Sequence, residues 1–282
     1  MSIFIAVLVP ALGALPRHSM PVSKWRKNSS NRVVTGDIRS FLHAAQSGDT
    51  SPLLCDVAVQ IGRVMPDKMK HKELFEGFSV ASLVHRYLHF GGQKERLEFV
   101  DLCAGCGVVG LFLALMDARR KVLAVDRHQS RLAAQLHKEV AIHFQGLQGR
   151  IHWKTADLRP IGTANPLVLP TSSVVVACHA CGLLSDEAIA AATFQTSRPI
   201  ILLPCCYPHK PKVNARHNAP SFSWDRFPWL LKGAVNKGGP EAIDAARISF
   251  LKGIGYTVTV DFIDPEITPQ NKAIIAIPSR AS

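Results

Sequence analysis

The chain has 282 residues, 47% of them apolar, and 33 Lys and Arg against 21 Asp and Glu give a formal charge of +12. That length suits one large domain, or a domain with an extension, and supplies ample apolar material for a core. No apolar run reaches the roughly 18–20 residues needed to span a bilayer, and the charge favours a polyanionic partner, a nucleic acid or an anionic membrane surface.

In chain order, residues 3–15 are mostly apolar, and no acid precedes Asp37, whereas Arg17, Lys24, Arg26, Lys27 and Arg32 do. An acid-poor, serine-containing start of this kind is similar to an organelle transit peptide. Residues 1–50 are therefore read as leader and linker, with a plastid or mitochondrial destination expected; an untargeted tail on a cytoplasmic protein is the other reading. Residues 51–92 are expected to form a helical extension, with helices over 52–65 and 72–90. In the second, Leu74, Phe75, Phe78, Leu83, Val84, Tyr87 and Leu88 recur at three and four. Gly91-Gly92 ends it, and the pair of helices is expected to cap one edge of a sheet.

Residues 93–282 then alternate strand and helix. Strands are predicted over 98–103, 121–126, 150–154, 173–178, 199–203, 256–262 and 273–277. Helices are predicted over 108–118, 128–145, 185–194 and 240–252. Only Asp264-Pro265-Glu266-Ile267-Thr268-Pro269 joins the last two strands. That is too short for a crossover helix, so the two should pair antiparallel. The expected fold class is α/β: a Rossmann-like, seven-stranded, mostly parallel sheet with an antiparallel C-terminal hairpin and helices on both faces.

The stretch Phe99-Val-Asp101-Leu-Cys103-Ala-Gly105-Cys106-Gly107-Val-Val-Gly110 carries the chemistry. Glycine at 105 and 107 permits a strained turn and close approach of a ligand to the backbone. The helix that follows turns free N–H groups toward that ligand. Sixteen residues past Gly110, a second apolar run ends in Asp126, an acid placed to take both hydroxyls of a ribose. Gly105-x-Gly107-x-x-Gly110 also fits the dinucleotide fingerprint. Asp101, four residues before the first glycine, separates the two readings. A carboxylate there repels a pyrophosphate and attracts a sulfonium or ammonium group.

The unit resembles motif I of class I S-adenosylmethionine (SAM) methyltransferases, which runs acid-x-x-x-Gly-x-Gly. Two later blocks sharpen the resemblance: Cys178-His179-Ala180-Cys181-Gly182-Leu-Leu-Ser185-Asp186 after strand four, and Pro204-Cys205-Cys206-Tyr207 after strand five. With Thr268-Pro269-Gln270-Asn271, they resemble a subfamily that includes tRNA ribose 2′-O-methyltransferases, over about residues 72–280. Members of the tRNA branch usually carry N-terminal zinc-binding modules. Here one cysteine, Cys55, precedes residue 98.

The resemblance implies roles. Asp101, Cys103, Gly105, Gly107, Asp126, Asp157, Leu158 and Cys178 would line the SAM site, with Asp101 toward the methionine end, Asp126 on the ribose, and Asp157 and Leu158 at the adenine. His179 would act as general base or shape the acceptor pocket, a buried structural histidine being the alternative. Tyr207 would stack on, or hydrogen-bond to, an acceptor base, and Asp186 would cap the helix it opens.

Segment 207–240 holds Lys210, Lys212, Arg216, Arg226, Lys232 and Lys237 against one acid, Asp225, interleaved with Tyr207, Phe222, Trp224, Phe227 and Trp229. Cations for phosphates and flat rings for bases suit RNA. Lys210, Lys212, Arg216 and Trp224 are the expected substrate contacts; the alternative is a basic loop whose aromatics pack inward.

Cys103-x-x-Cys106 and Cys178-x-x-Cys181 have metal-ligand spacing, and a thiolate could also serve covalent catalysis. Small, apolar packing at strand ends accounts for the cysteines more simply, and no metal is expected. The expected activity is SAM-dependent methylation of RNA (tRNA or rRNA, at ribose 2′-O or a base nitrogen). The rival readings are a small-molecule or protein methyltransferase, and a non-catalytic RNA-binding protein of the same fold.

Overall fold

The computed structural model describes residues 71–90, 98–116, 120–143, 147–158, 167–194, 196–207, 227–230, 238–265 and 267–279. The expected leader and the helix over 52–65 lie outside these residues. The elements are α1 (His71–Phe90), β1 (Glu98–Leu102), α2 (Val108–Met116), β2 (Val122–Asp126), α3 (Arg131–His143), β3 (Ile151–Thr155), β4 (Ser173–Cys178), α4 (Leu184–Thr193), β5 (Ile200–Leu203), α5 (Gly239–Gly253), β6 (Tyr256–Phe262) and β7 (Lys272–Pro278). Each strand predicted from the sequence is present, with ends moved by a residue or two.

The strands form one sheet in the order β3-β2-β1-β4-β5-β7-β6. Pairs β1–β2, β2–β3, β1–β4 and β4–β5 are parallel. β7 runs antiparallel to β5 and β6, so the C-terminal hairpin forms as its short connection requires. Asn271 closes it: its backbone carbonyl accepts from Ile263 N–H at 2.9 Å, and its side-chain Nδ2 donates to Ile263 C=O at 3.0 Å.

The central strands are apolar on both faces, as a covered parallel sheet demands. Phe99, Val174, Val176, Ile201, Leu203 and Ile275 face α1, α2 and α3. Their alternating neighbours Val100, Val175, Ala177, Ile200, Leu202, Ile274 and Ala276 face α4 and α5.

α1 departs from expectation. It lies on a face of the sheet instead of capping an edge. Its stripe of Leu74, Phe75, Phe78 and Val84 enters the same core as α2, and the rings of Phe78 and Phe112 meet edge-on at 5.8 Å. Gly77 permits this closeness: a Cβ there would stand 2.5 Å from Val108 Cγ1. At its other end Arg86 and Tyr87 both bond Asp261 Oδ2 on β6 at 2.9 Å. The helix therefore spans from the glycine turn to the far strand. No described helix is long and apolar enough to cross a membrane.

Candidate active site

The order β1-β4-β5 sets three strand ends side by side at the carboxyl edge of the sheet, where open α/β sheets bind ligands. Two non-glycine residues there have left-handed backbone: Cys103 (φ 60°), directly after β1, and His179 (φ 57°), directly after β4. Each such residue costs of order 1–3 kcal/mol unless its surroundings enforce it, and such strain clusters at functional sites. His179 is held partly by its N–H, which donates to Leu203 C=O at 3.1 Å.

The glycine turn has two sides. Gly105 (φ 57°) is exposed, and a Cβ there would meet nothing nearer than Cys103 C=O at 4.0 Å, which leaves open space for a ligand. Gly107 (φ 79°) is buried, and a Cβ there would stand 2.5 Å from His137 Nε2 and 2.8 Å from Trp153 Cζ2. Its bare Cα serves packing against α3 and β3.

The two acids of the motif also divide. Asp126 is half-buried at the end of β2, and its Oδ2 accepts the Gly105 N–H at 2.9 Å. Asp101 is 1% exposed and its Oδ2 accepts the Gly110 N–H, in the first turn of α2, at 2.9 Å. Burial pushes the Asp101 carboxyl up to about 7 and the charge of Asp126 adds to this, while the Gly110 bond holds it down. Asp157 follows β3 and is partly exposed, Leu158 beside it is buried, and both adjoin the end of β2 because Ala156 N–H donates to Asp126 C=O at 2.9 Å. Cys103 and Cys178 are half-buried at the ends of β1 and β4. Burial pushes the Cys103 thiol up to about 12, aided by Asp126 and Asp101. Burial likewise raises Cys178 well above the ordinary thiol range.

His179 has a partner the sequence did not disclose. Its Nε2 lies 2.9 Å from Glu76 Oε1 on α1, an ion-pair distance at an angle off the hydrogen-bond line. Glu76 is 3% exposed and also pairs with Lys72 at 3.3 Å. Burial works to raise the Glu76 carboxyl, yet His179, then Lys72 and the Thr268 hydroxyl, hold it below the usual range. Glu73, one turn earlier on α1, accepts the Cys106 S–H at 3.4 Å. α1 thus supplies two carboxylates to the carboxyl edge. Their signal was visible as acids at i and i+3 inside an apolar helical stripe. Their contacts join residues 33 and more than 100 positions apart, beyond what spacing along the chain can show.

Tyr207 is committed elsewhere. Its hydroxyl donates to Asp244 Oδ2 at 2.7 Å, and burial, then Asp244, raises its phenol well above the ordinary range. Asp186 does not cap α4, because its oxygens are taken by Arg247: Nε donates to Oδ1 at 3.0 Å and Nη2 to Oδ2 at 2.6 Å. Trp229 Nε1 adds a third bond to Oδ1 at 3.0 Å, and the Trp229 ring stacks on Phe250 at 4.0 Å. Phe227 is buried with Leu183, Leu230 and Ile243. The described aromatics flanking the basic segment therefore pack inward. Lys210, Lys212, Arg216 and Trp224 lie outside the described residues.

Three thiols converge at the same edge: the Sγ atoms of Cys181, Cys205 and Cys206 lie within 4.8 Å of one another. The pairings suggested by C-x-x-C spacing are not the ones formed.

A family model described as a methyltransferase domain matches residues 70–210, half of the chain. The chain belongs to this methyltransferase family. With the strand order and C-terminal hairpin described above, it is a SAM-dependent enzyme of Rossmann-like fold. No curated protein sequence matches it. Among solved structures, the methyltransferase is similar to magnesium protoporphyrin IX methyltransferase from Synechocystis PCC 6803 with bound SAM, at 13% identity, over 88% of this chain and 100% of that one, with a TM-score of 0.46. It is also similar to the 23S rRNA methyltransferase ErmE (16% identity, 72% and 68% covered, TM-score 0.41). A third likeness is to the fibrillarin/Nop5p complex (11% identity, 68% and 79% covered, TM-score 0.40). Similarity at this distance bears on neither substrate nor partner.

The site fits the cofactor. Gly105 opens onto free space, Asp126 stands at its rim, and the buried Asp101 carboxyl lies beneath the turn.

Proposed function

We propose that this methyltransferase acts on RNA, tRNA or rRNA, at a ribose 2′-hydroxyl or a base nitrogen. The observation that carries this is the distribution of charge along the sequence. The chain's excess of +12 includes six cations against one acid in residues 207–240, a segment that leaves the carboxyl end of β5 beside the site. Two of its described residues are pinned, Tyr207 by Asp244 and Trp229 by Asp186. Lys210, Lys212 and Arg216 would contact phosphates and Trp224 a base.

Bound SAM supplies a methyl group already activated on a sulfonium. The protein's own residues then have three tasks. Asp126 holds the ribose hydroxyls, with Asp157 and Leu158 at the adenine and Gly105 giving way to the cofactor. Asp101 offers negative charge beneath the cationic end. His179 takes the acceptor's proton: Glu76 occupies its Nε2 side, so Nδ1 is the atom left to receive it. Glu76 orients the ring and stabilises the imidazolium that results. A positioned base of this kind contributes about 10²–10⁴ in rate.

The test is transfer of tritiated methyl groups from SAM into total RNA and, separately, total protein, followed by nucleoside analysis. Label in one modified nucleoside is expected. Label confined to protein, or to small molecules, would refute an RNA acceptor.

A further inference from the structure

We propose that Cys181, Cys205 and Cys206 form a thiolate site for one zinc(II) ion at the carboxyl edge of the sheet. Their three Sγ atoms lie within 4.8 Å of one another, close enough for a small side-chain adjustment to bring all three onto a single ion. Two of the residues are exposed and the third is half-buried, which gives an ion entry from solvent. The loops that carry them are fastened together by backbone. Gly182 N–H donates to Cys206 C=O, and His179 N–H donates to Leu203 C=O just before the Cys-Cys pair. The cluster is therefore a product of strand order: β4 and β5 are parallel neighbours in register from Val175↔Ile200 to Cys178↔Leu203, and both end at this point.

Sulfur donors alone select a soft ion, zinc(II) among the common ones. Three protein ligands leave one position of the tetrahedron open, the arrangement of sites that keep a place for water or substrate. Cys181 Sγ and Cys205 Sγ now stand 2.7 Å apart. Zinc would part them to about 3.8 Å, the edge of a tetrahedron with bonds of about 2.3 Å. A disulfide between those two would close the same gap, but it would leave Cys206 without a role; one ion employs all three sulfurs.

The experiment uses the full chain, reduced and stripped of metal, with zinc chloride alone and no RNA or SAM present. Its outcome is thus separate from the identity of the methyl acceptor. One equivalent of zinc should remain after desalting, and cobalt(II) in its place should show sulfur-to-cobalt charge transfer with the intense visible bands of tetrahedral coordination. Cys181→Ser, Cys205→Ser and Cys206→Ser should each weaken zinc binding by at least about 100-fold, judged by chelator competition. Cys106→Ser should retain it. SAM binding by each variant establishes that it is folded, and Cys206, exposed, is the variant least able to disturb the core. Failure to retain zinc, an affinity unchanged in all three serine variants, or a Cys181–Cys205 disulfide in protein taken from cells without reductant would overturn the site.

Discussion

Asp101 and Asp126 differ in what the fold asks of them. Asp126 stands at the turn's rim, where its charge is available to a ribose. Asp126→Ala should weaken SAM binding about 100-fold, near 3 kcal/mol for the removal of two charged hydrogen bonds. Calorimetry measures this, and unchanged affinity would remove the ribose assignment. Asp101 is buried, with its carboxyl raised to about 7 by burial. Below that pH it is neutral and attracts no cation; above it the anion does. SAM affinity should therefore rise with pH up to about 7 and level off, falling at most about tenfold per pH unit on the acid side. Asp101→Asn should bind weakly and without that slope, and a wild-type affinity flat from pH 5 to 8 would contradict the role. The motif showed both acids by their spacing. It did not show which would be buried, because that depends on the Gly110 N–H nine residues on, which folds back over Asp101.

At the scale of elements, α1 and α5 do work that the sequence concealed. Strand positions, the hairpin and the alternation of apolar residues were readable because each is a local pattern. The Asp186–Arg247 pair and the Glu76–His179 pair were not, because each joins residues far apart along the chain. Asp186 looks like a helix cap in sequence, and only the approach of α5 makes it the partner of a buried arginine. Arg247 is 1% exposed and bonded to both Asp186 and Asp244. Its removal takes the cation from buried Asp186, while Asp244 keeps Lys272 at 3.1 Å. A buried charge that loses its partner costs about 3–5 kcal/mol. Arg247→Ala should therefore lower the melting temperature by roughly 10 °C for a domain of this size. A shift under about 2 °C would mean that α4 and α5 are held by their apolar packing alone.

For the whole molecule, the proposed RNA partner rests on charge. A protein that neutralises phosphates releases counterions, so its RNA affinity falls with salt in proportion to the number of phosphates it neutralises. Replacing Lys210, Lys212 and Arg216 by Glu should weaken RNA binding and reduce the log–log salt slope by about 1 for each phosphate that no longer meets a cation. An unaltered slope would place the RNA on another face.

In the proposed reaction the carboxyl edge of this sheet holds SAM on one side and a proton acceptor, His179 backed by Glu76, on the other. The most direct measurement is single-turnover methyl transfer from tritiated SAM to RNA by the wild type, His179→Ala and Glu76→Gln, with SAM affinity determined on the same samples. Transfer is expected to fall about 100-fold or more in His179→Ala and by a smaller factor in Glu76→Gln, with SAM bound as tightly as before. Undiminished transfer by His179→Ala would mean that His179 takes no proton in the reaction.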